Sequence, residues 1–144
     1  MLERKIHTIY TLGYSGWQPQ AIRATVDARR ALLVDIRNSP RSLNPHWRQE
    51  ALRGLWGDDW PDHYAHWRAL GNLNYKNGGP IALADPAAIL NAAAIILCAQ
   101  PIVLMCGCQQ HAMCHRLVAA EYLAAQLGAP IEHLYPARAA HGTH

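Results

Sequence analysis

Three of the chain's four cysteines, two of its nine histidines and one arginine fall within LMCGCQQHAMCHR, Leu104 to Arg116. Three chemistries call for such crowding. Cys106, Cys108, His111, Cys114 and His115 are soft ligands for zinc, which takes four in a tetrahedron. A cysteine where a strand yields to a helix feels free N–H groups and the positive end of the dipole, which make its thiol more acidic and more reactive. The same N–H groups, helped by an arginine, cradle an anion. The spacing C-x-C-x-x-H-x-x-C-H matches no zinc ribbon or finger, and adjacent Cys114 and His115 diverge by about 100° on a helix. No metal or other cofactor is therefore expected, and zinc held by Cys106, Cys108, Cys114 and His111 is the alternative.

In the thiol reading Cys106, at the rigid end of a strand, is the nucleophile and Cys114 its resolving partner, with Arg37 and Arg116 favouring the thiolate. Cys98, inside AAAIILCAQ, reads as core. Arg116 falls in a first helical turn, where the dipole disfavours a cation by some ~0.3–1 kcal/mol. A bound phosphate or carboxylate compensates, and so does an acid such as Asp35. Asp35 follows Leu32, Leu33 and Val34, so it needs a partner at a buried rim, and either Arg37 or Arg116 can supply one. Catalytically, an ionised Asp35 is a base and His115 the proton donor. Ser15 and Ser42 are turn hydroxyls that can also touch a substrate.

These residues need a scaffold that gathers them. IHTIYTL (6–12) reads as a strand closed by GYSG, Pro19 opens a helix running to Arg30, and ALLVDIR (31–37) is a second strand whose continuous apolar run fits a sheet covered on both faces. NSPRSLNPH (38–46) is loop, a short helix spans about 47–56, and GDDWPD breaks it. HYAHW (63–67) reads as a strand, followed by a lid-like loop in LGNLNYKNGGP. Asp85-Pro86 starts a helix to about Ala99, PIVLMC (101–106) is a strand, a helix runs from about Ala112 to a Gly128 cap, and PIEHLY (130–135) is the last strand. Alternating strands and helices predict a single Rossmann-like α/β domain over 1–144, mainly a parallel sheet flanked by helices, with a flexible tail from about 136. Loops after three parallel strands then bring Ser15, Asp35, Arg37, Ser42, Cys106, Cys108, Cys114, His115 and Arg116 to one rim, and Asp35, Arg37, Cys106 and Arg116 to one pocket.

Composition narrows the function. The chain has 144 residues, 51% hydrophobic and 16% charged, which describes an ordinary globule with one core. No apolar run spans a membrane and the N-terminus has no secretory pattern, so a cytoplasmic protein with reduced cysteines is expected. All but Lys5 and Lys76 of the 13 basic residues are arginine, suited to phosphate or carboxylate. A formal charge of +3 is too small for a nucleic-acid binder that works by electrostatics alone. Five tryptophans are chiefly packing residues in a chain without Phe, with Trp17 and Trp67 beside the rim as candidate stacking platforms.

Gly13-Tyr14-Ser15, Asp35-Ile36-Arg37-Asn38-Ser39-Pro40-Arg41-Ser42, Leu70-Gly71-Asn72, Cys106-Gly107-Cys108 and Cys114-His115-Arg116 together resemble the family of domain of unknown function 488, across nearly the whole chain. The resemblance implies a Rossmann-like fold and a shared polar site that includes Tyr14, with no established reaction. Tyr14 stands where that family usually has His, and Cys108 where it usually has Glu. The expected function is binding of a small anionic or nucleotide-like substrate, with thiol-dependent hydrolysis or group transfer. The alternatives are a metal-binding or redox-sensing module and a nucleic-acid-associated protein.

Overall fold

The computed structural model describes residues 5–40, 42–74, 79–107 and 115–137. Its centre is a five-stranded sheet built from β1 (Ile9–Gly13), β2 (Leu32–Asp35), β3 (Tyr64–His66), β4 (Ile102–Cys106) and β5 (Ile131–Leu134). The order is β3-β2-β4-β1-β5 and every pairing is parallel. β2 and β4 are buried at every residue, which is why both read as unbroken apolar runs.

Helices cover both faces. α1 (Pro19–Ala28) starts with Pro19 at a position that has no hydrogen bond to lose, and buries Ile22 and Val26, one turn apart. It shares one face of the sheet with the short α2 (Gln49–Gly54), where Leu12, Leu33, Leu52, Val103 and Met105 pack together. α3 (Leu90–Ala99) and α4 (His115–Leu127) cover the other face, against Val34, Ile36, Ile102, Leu104 and Cys106. The inward stripe of α4 is Arg116, Ala119, Ala120 and Leu123, so an arginine occupies the first position of an otherwise apolar i, i+3, i+4, i+7 pattern. Gly128 has φ 73° and its N–H donates to the Ala124 carbonyl, the left-handed cap its type predicts.

The expected helix over 47–56 is instead a 3-10 turn at Pro45–Trp47, then α2, then a second 3-10 segment at Gly57–Asp62. Its prolines and glycines allow only short helical pieces. The helix expected from Asp85 likewise opens with a 3-10 turn, Pro86–Ile89. Cys98 is half-buried rather than core. Trp17 and Trp67 are 9% and 8% exposed, packed in the two core clusters, which removes them as stacking platforms. Among the described residues no helix is long and apolar enough to cross a membrane. The expected helix start near Ala112 and the tail beyond residue 137 lie outside the described residues.

The order places β4 at a topological switch. From β1 and β2 the chain moves toward the β3 edge, whereas from β4 it moves toward β5, so right-handed crossovers send the loops to opposite faces. In open α/β sheets such a point, here the carboxyl end of β4, is where ligands bind. Leu104, fully buried at the middle of this strand, belongs to the core cluster on the α3 and α4 face. Leu104→Ala should cost ~2–5 kcal/mol in urea denaturation without changing the fold.

Candidate functional site

At the carboxyl end of β2 the sequence Asp-x-Arg puts Asp35 and Arg37 on the same face, two residues apart. Asp35 is fully buried, and both of its oxygens are doubly used. Oδ1 accepts from the Arg37 backbone N–H at 3.1 Å and from Arg37 Nε at 2.9 Å. Oδ2 accepts from Arg37 Nη2 and from the Tyr64 hydroxyl, each at 2.6 Å. A carboxylate has about four acceptor sites, so none remains for a substrate proton. Asp35 therefore positions its neighbours, and the expectation that it acts as a base is replaced.

Arg37 is equally committed. Nη1 donates to the Trp47 carbonyl at 2.7 Å, and the guanidinium lies 5.5 Å from the centroid of the Tyr14 ring, which is itself stacked on Trp47 at 4.7 Å. Burial opposes the Arg37 charge, but the bond to Asp35 and its negative charge outweigh that and raise the pKa. Burial first, and the Asp35 charge second, drive the Tyr64 pKa strongly upward, so its hydroxyl stays a donor. Arg37 thus serves the structural ion pair instead of presenting an open anion contact. Its carbonyl is also used, accepting the Nε2 proton of His66 at 2.6 Å.

Cys106 and Arg116 sit across the sheet from this knot. In β4, Val103 and Met105 face the α1 side, so Cys106, one residue on, faces α3 and α4. Asp35 and Arg37 face the α1 side, with Tyr64 and Trp47. Period-two alternation hence separates the four residues expected in one pocket into two pairs on opposite faces, joined at the rim. Arg116 is 1% exposed and Nη1 reaches Cys106 Sγ at 3.4 Å. Cys106 is 0% exposed and disulfide-bonded. Cys98 is a free thiol. Cys108, His111 and Cys114 lie outside the described residues, and among the described residues no group of three His, Cys, Asp or Glu could hold a metal.

His115 ties the two halves together. Its Nε2 lies 2.9 Å from the Ile36 carbonyl, which only accepts, so Nε2 carries the proton and Nδ1 is the basic nitrogen. Burial lowers its pKa, the Ile36 bond and Asp35 oppose this, and the Arg116 charge adds to the lowering. The lowered pKa disfavours the protonated ring that the expected proton donor requires. Ser42 Oγ accepts from the Asn44 N–H at 3.1 Å, a turn hydroxyl, and Ser15 lies on the turn after β1, half-buried. Tyr14 covers the exit of β4, where a Cβ on Gly107 would meet the Tyr14 hydroxyl at 3.0 Å.

Sequence reasoning missed Tyr64, His66 and Trp47. The first two alternate on the predicted third strand and could have been weighed as rim residues, whereas Trp47 enters through its carbonyl, which carries no sequence signal. Gly71 of the Leu-Gly-Asn motif is legible for a different reason. A Cβ there would come within 2.9 Å of Asn38 Oδ1 and 3.0 Å of the Asn38 Cα, so only glycine lets the 70–72 turn lie on the loop after β2.

No family model, curated protein or solved structure matches this chain. The resemblance to domain of unknown function 488 accordingly rests on the motifs themselves.

Tyr64→Phe removes one donor from a buried carboxylate and should cost ~1–3 kcal/mol by chemical denaturation. Asp35→Asn strands a buried guanidinium and should cost more, ~3–5 kcal/mol. His115 contributes a pH term of known sign. Because its folded pKa lies below the usual value of about 6.5, that contribution is complete above 6.5 and is lost as pH falls through the folded pKa. His115→Gln should therefore flatten the loss of stability between pH 7.5 and 5.

Proposed function

We propose that the protein acts on a small anionic or nucleotide-like substrate at the carboxyl end of β4, by thiol-dependent hydrolysis or group transfer with Cys106 as nucleophile. The observation that carries this reading is the contact between a fully buried guanidinium, Arg116, and Cys106 Sγ at the topological switch point. A cation held against sulfur favours thiolate over thiol. His115, next to Arg116 in the first turn of α4, takes the thiol proton. The thiolate then bonds to the electrophilic centre as the leaving group departs, and water or an acceptor displaces the sulfur. Arg116 is placed to offset negative charge as it develops there.

A second reading draws on the disulfide. In a redox module Cys106 cycles between disulfide and thiol, and two electrons and two protons from a reducing dithiol convert the bridge to two thiols. The two readings converge on one reduced state, in which Cys106 is the reactive sulfur. Zinc remains the alternative cofactor for that state, with Cys106, Cys108, Cys114 and His111 as ligands.

Alkylation with peptide mapping tests the proposal. Without reductant, Cys98 should be labelled and Cys106 should not. After reduction at pH 7, Cys106 should react faster than Cys98, and Arg116→Gln should slow it about tenfold or more while Arg116→Lys retains most of the rate. A reduced Cys106 no faster than Cys98 would sink the nucleophile assignment. Reversible rate changes with redox state but no turnover of phosphate or carboxylate esters would favour the redox reading, and zinc retained by reduced protein but not by Cys108→Ser would favour the metal.

A further inference from the structure

An open cavity of about 430 Å³ lies at the opposite end of the sheet, around the residues that lead into β2, β3 and β4: Ala31, His63 and Gln100. Its wall is fixed. Trp56, 7% exposed, donates Nε1–H to Asp27 Oδ1 at 2.9 Å and stacks on the His63 ring at 5.4 Å and 8°. Arg23 reaches Asp27 Oδ2 at 3.3 Å and the Leu55 carbonyl at 2.6 Å, tying α1 to the end of α2. The cavity therefore has a shape held by hydrogen bonds and stacking before any ligand arrives.

Other lining groups have chemistry to spare. Among the described residues the side chains of Arg30, Asp59, Asp62 and Gln100 make no hydrogen bond or ion pair, although all four face this space. Arg30 also has φ 53°, in the left-handed region, at the end of α1 where the Ala31 N–H closes back onto the Val26 carbonyl at 3.0 Å. Glycine fits that position without strain. The chain instead carries an arginine there, and its side chain lines the cavity.

The geometry points to a second binding site, for a free basic amino acid. The lining has two arginines and three aspartates, a net excess of one carboxylate over the cations. The complementary ligand carries one anionic group for Arg30 and two cationic groups for Asp59 and Asp62, which is the charge pattern of arginine or lysine. The cavity is within the size range of small-molecule sites, about 300–1,000 Å³, and too small for a folded partner. This site shares no residue with the one at the carboxyl end of β4 and stands independently of the proposed function.

Titration calorimetry with L-arginine, L-glutamate and agmatine, which lacks the carboxylate, tests it. L-arginine should bind saturably and more tightly than L-glutamate. Arg30→Gly should raise the thermal midpoint by relieving the backbone, weaken L-arginine about tenfold or more, and leave agmatine unchanged. Asp59→Asn with Asp62→Asn should weaken both cationic probes. Equal binding of L-glutamate, no saturable binding of L-arginine, or an Arg30→Gly variant that folds and binds L-arginine as before would overturn the assignment.

Discussion

A buried carboxylate governs the rim of this protein. Asp35 is fully removed from water, and an ionised group there survives only if its solvation is replaced. Four donors replace it, three from Arg37 and one from Tyr64. Each donor brings an element with it. Tyr64 fixes β3 to β2, and Arg37 fixes the Pro45–Trp47 turn through the Trp47 carbonyl and the end of β1 through the Tyr14 ring. The net worth of such a buried pair against an apolar alternative is small, but losing one member costs several kcal/mol, so its main effect is to allow a single arrangement.

The second constraint is the pleat. Alternate residues of a strand point to opposite faces, so a parallel sheet whose loops meet at one rim still presents two separate sets of side chains. On the α1 side lies the saturated Asp35 knot. On the α4 side lie Cys106 and Arg116. The first set is rigid and has its hydrogen bonds spent, and the second combines a sulfur with a cation. The first set thus holds the strand ends in register beside the second.

Much of this architecture is legible in the sequence because it depends on local pattern. Continuous apolar runs mark β2 and β4, Gly128 marks the end of α4, and the Pro19 and Pro86 positions mark helix starts. Arg37 is legible as one of two candidate partners of Asp35, since i and i+2 on a strand share a face. What stays hidden depends on register between distant segments. Tyr64 reaches Asp35 only because Leu33 pairs with Tyr64 across the sheet, and the amino-end cavity forms only because the segments before β2, β3 and β4 lie side by side. In sequence those segments read as helix ends and breakers. The burial of Arg116 is an intermediate case, visible as the first member of the stripe it forms with Ala119, Ala120 and Leu123 once the phase of the helix is known.

The same helical geometry that sets Cys114 and His115 apart explains why His115 and Arg116 work as a pair. Adjacent residues diverge by about 100°, so the first turn of α4 can direct one side chain to β2 and the next to β4. His115 bonds the Ile36 carbonyl just beyond β2, and Arg116 contacts Cys106 at the end of β4. The helix thereby bridges the carboxyl ends of the two strands whose loops part to opposite faces. The two side chains are electrostatically linked, because the Arg116 charge adds to the lowering of the His115 pKa. A negative charge on Cys106 would weaken that influence and raise the basicity of His115, so proton and sulfur states here are coupled through one guanidinium.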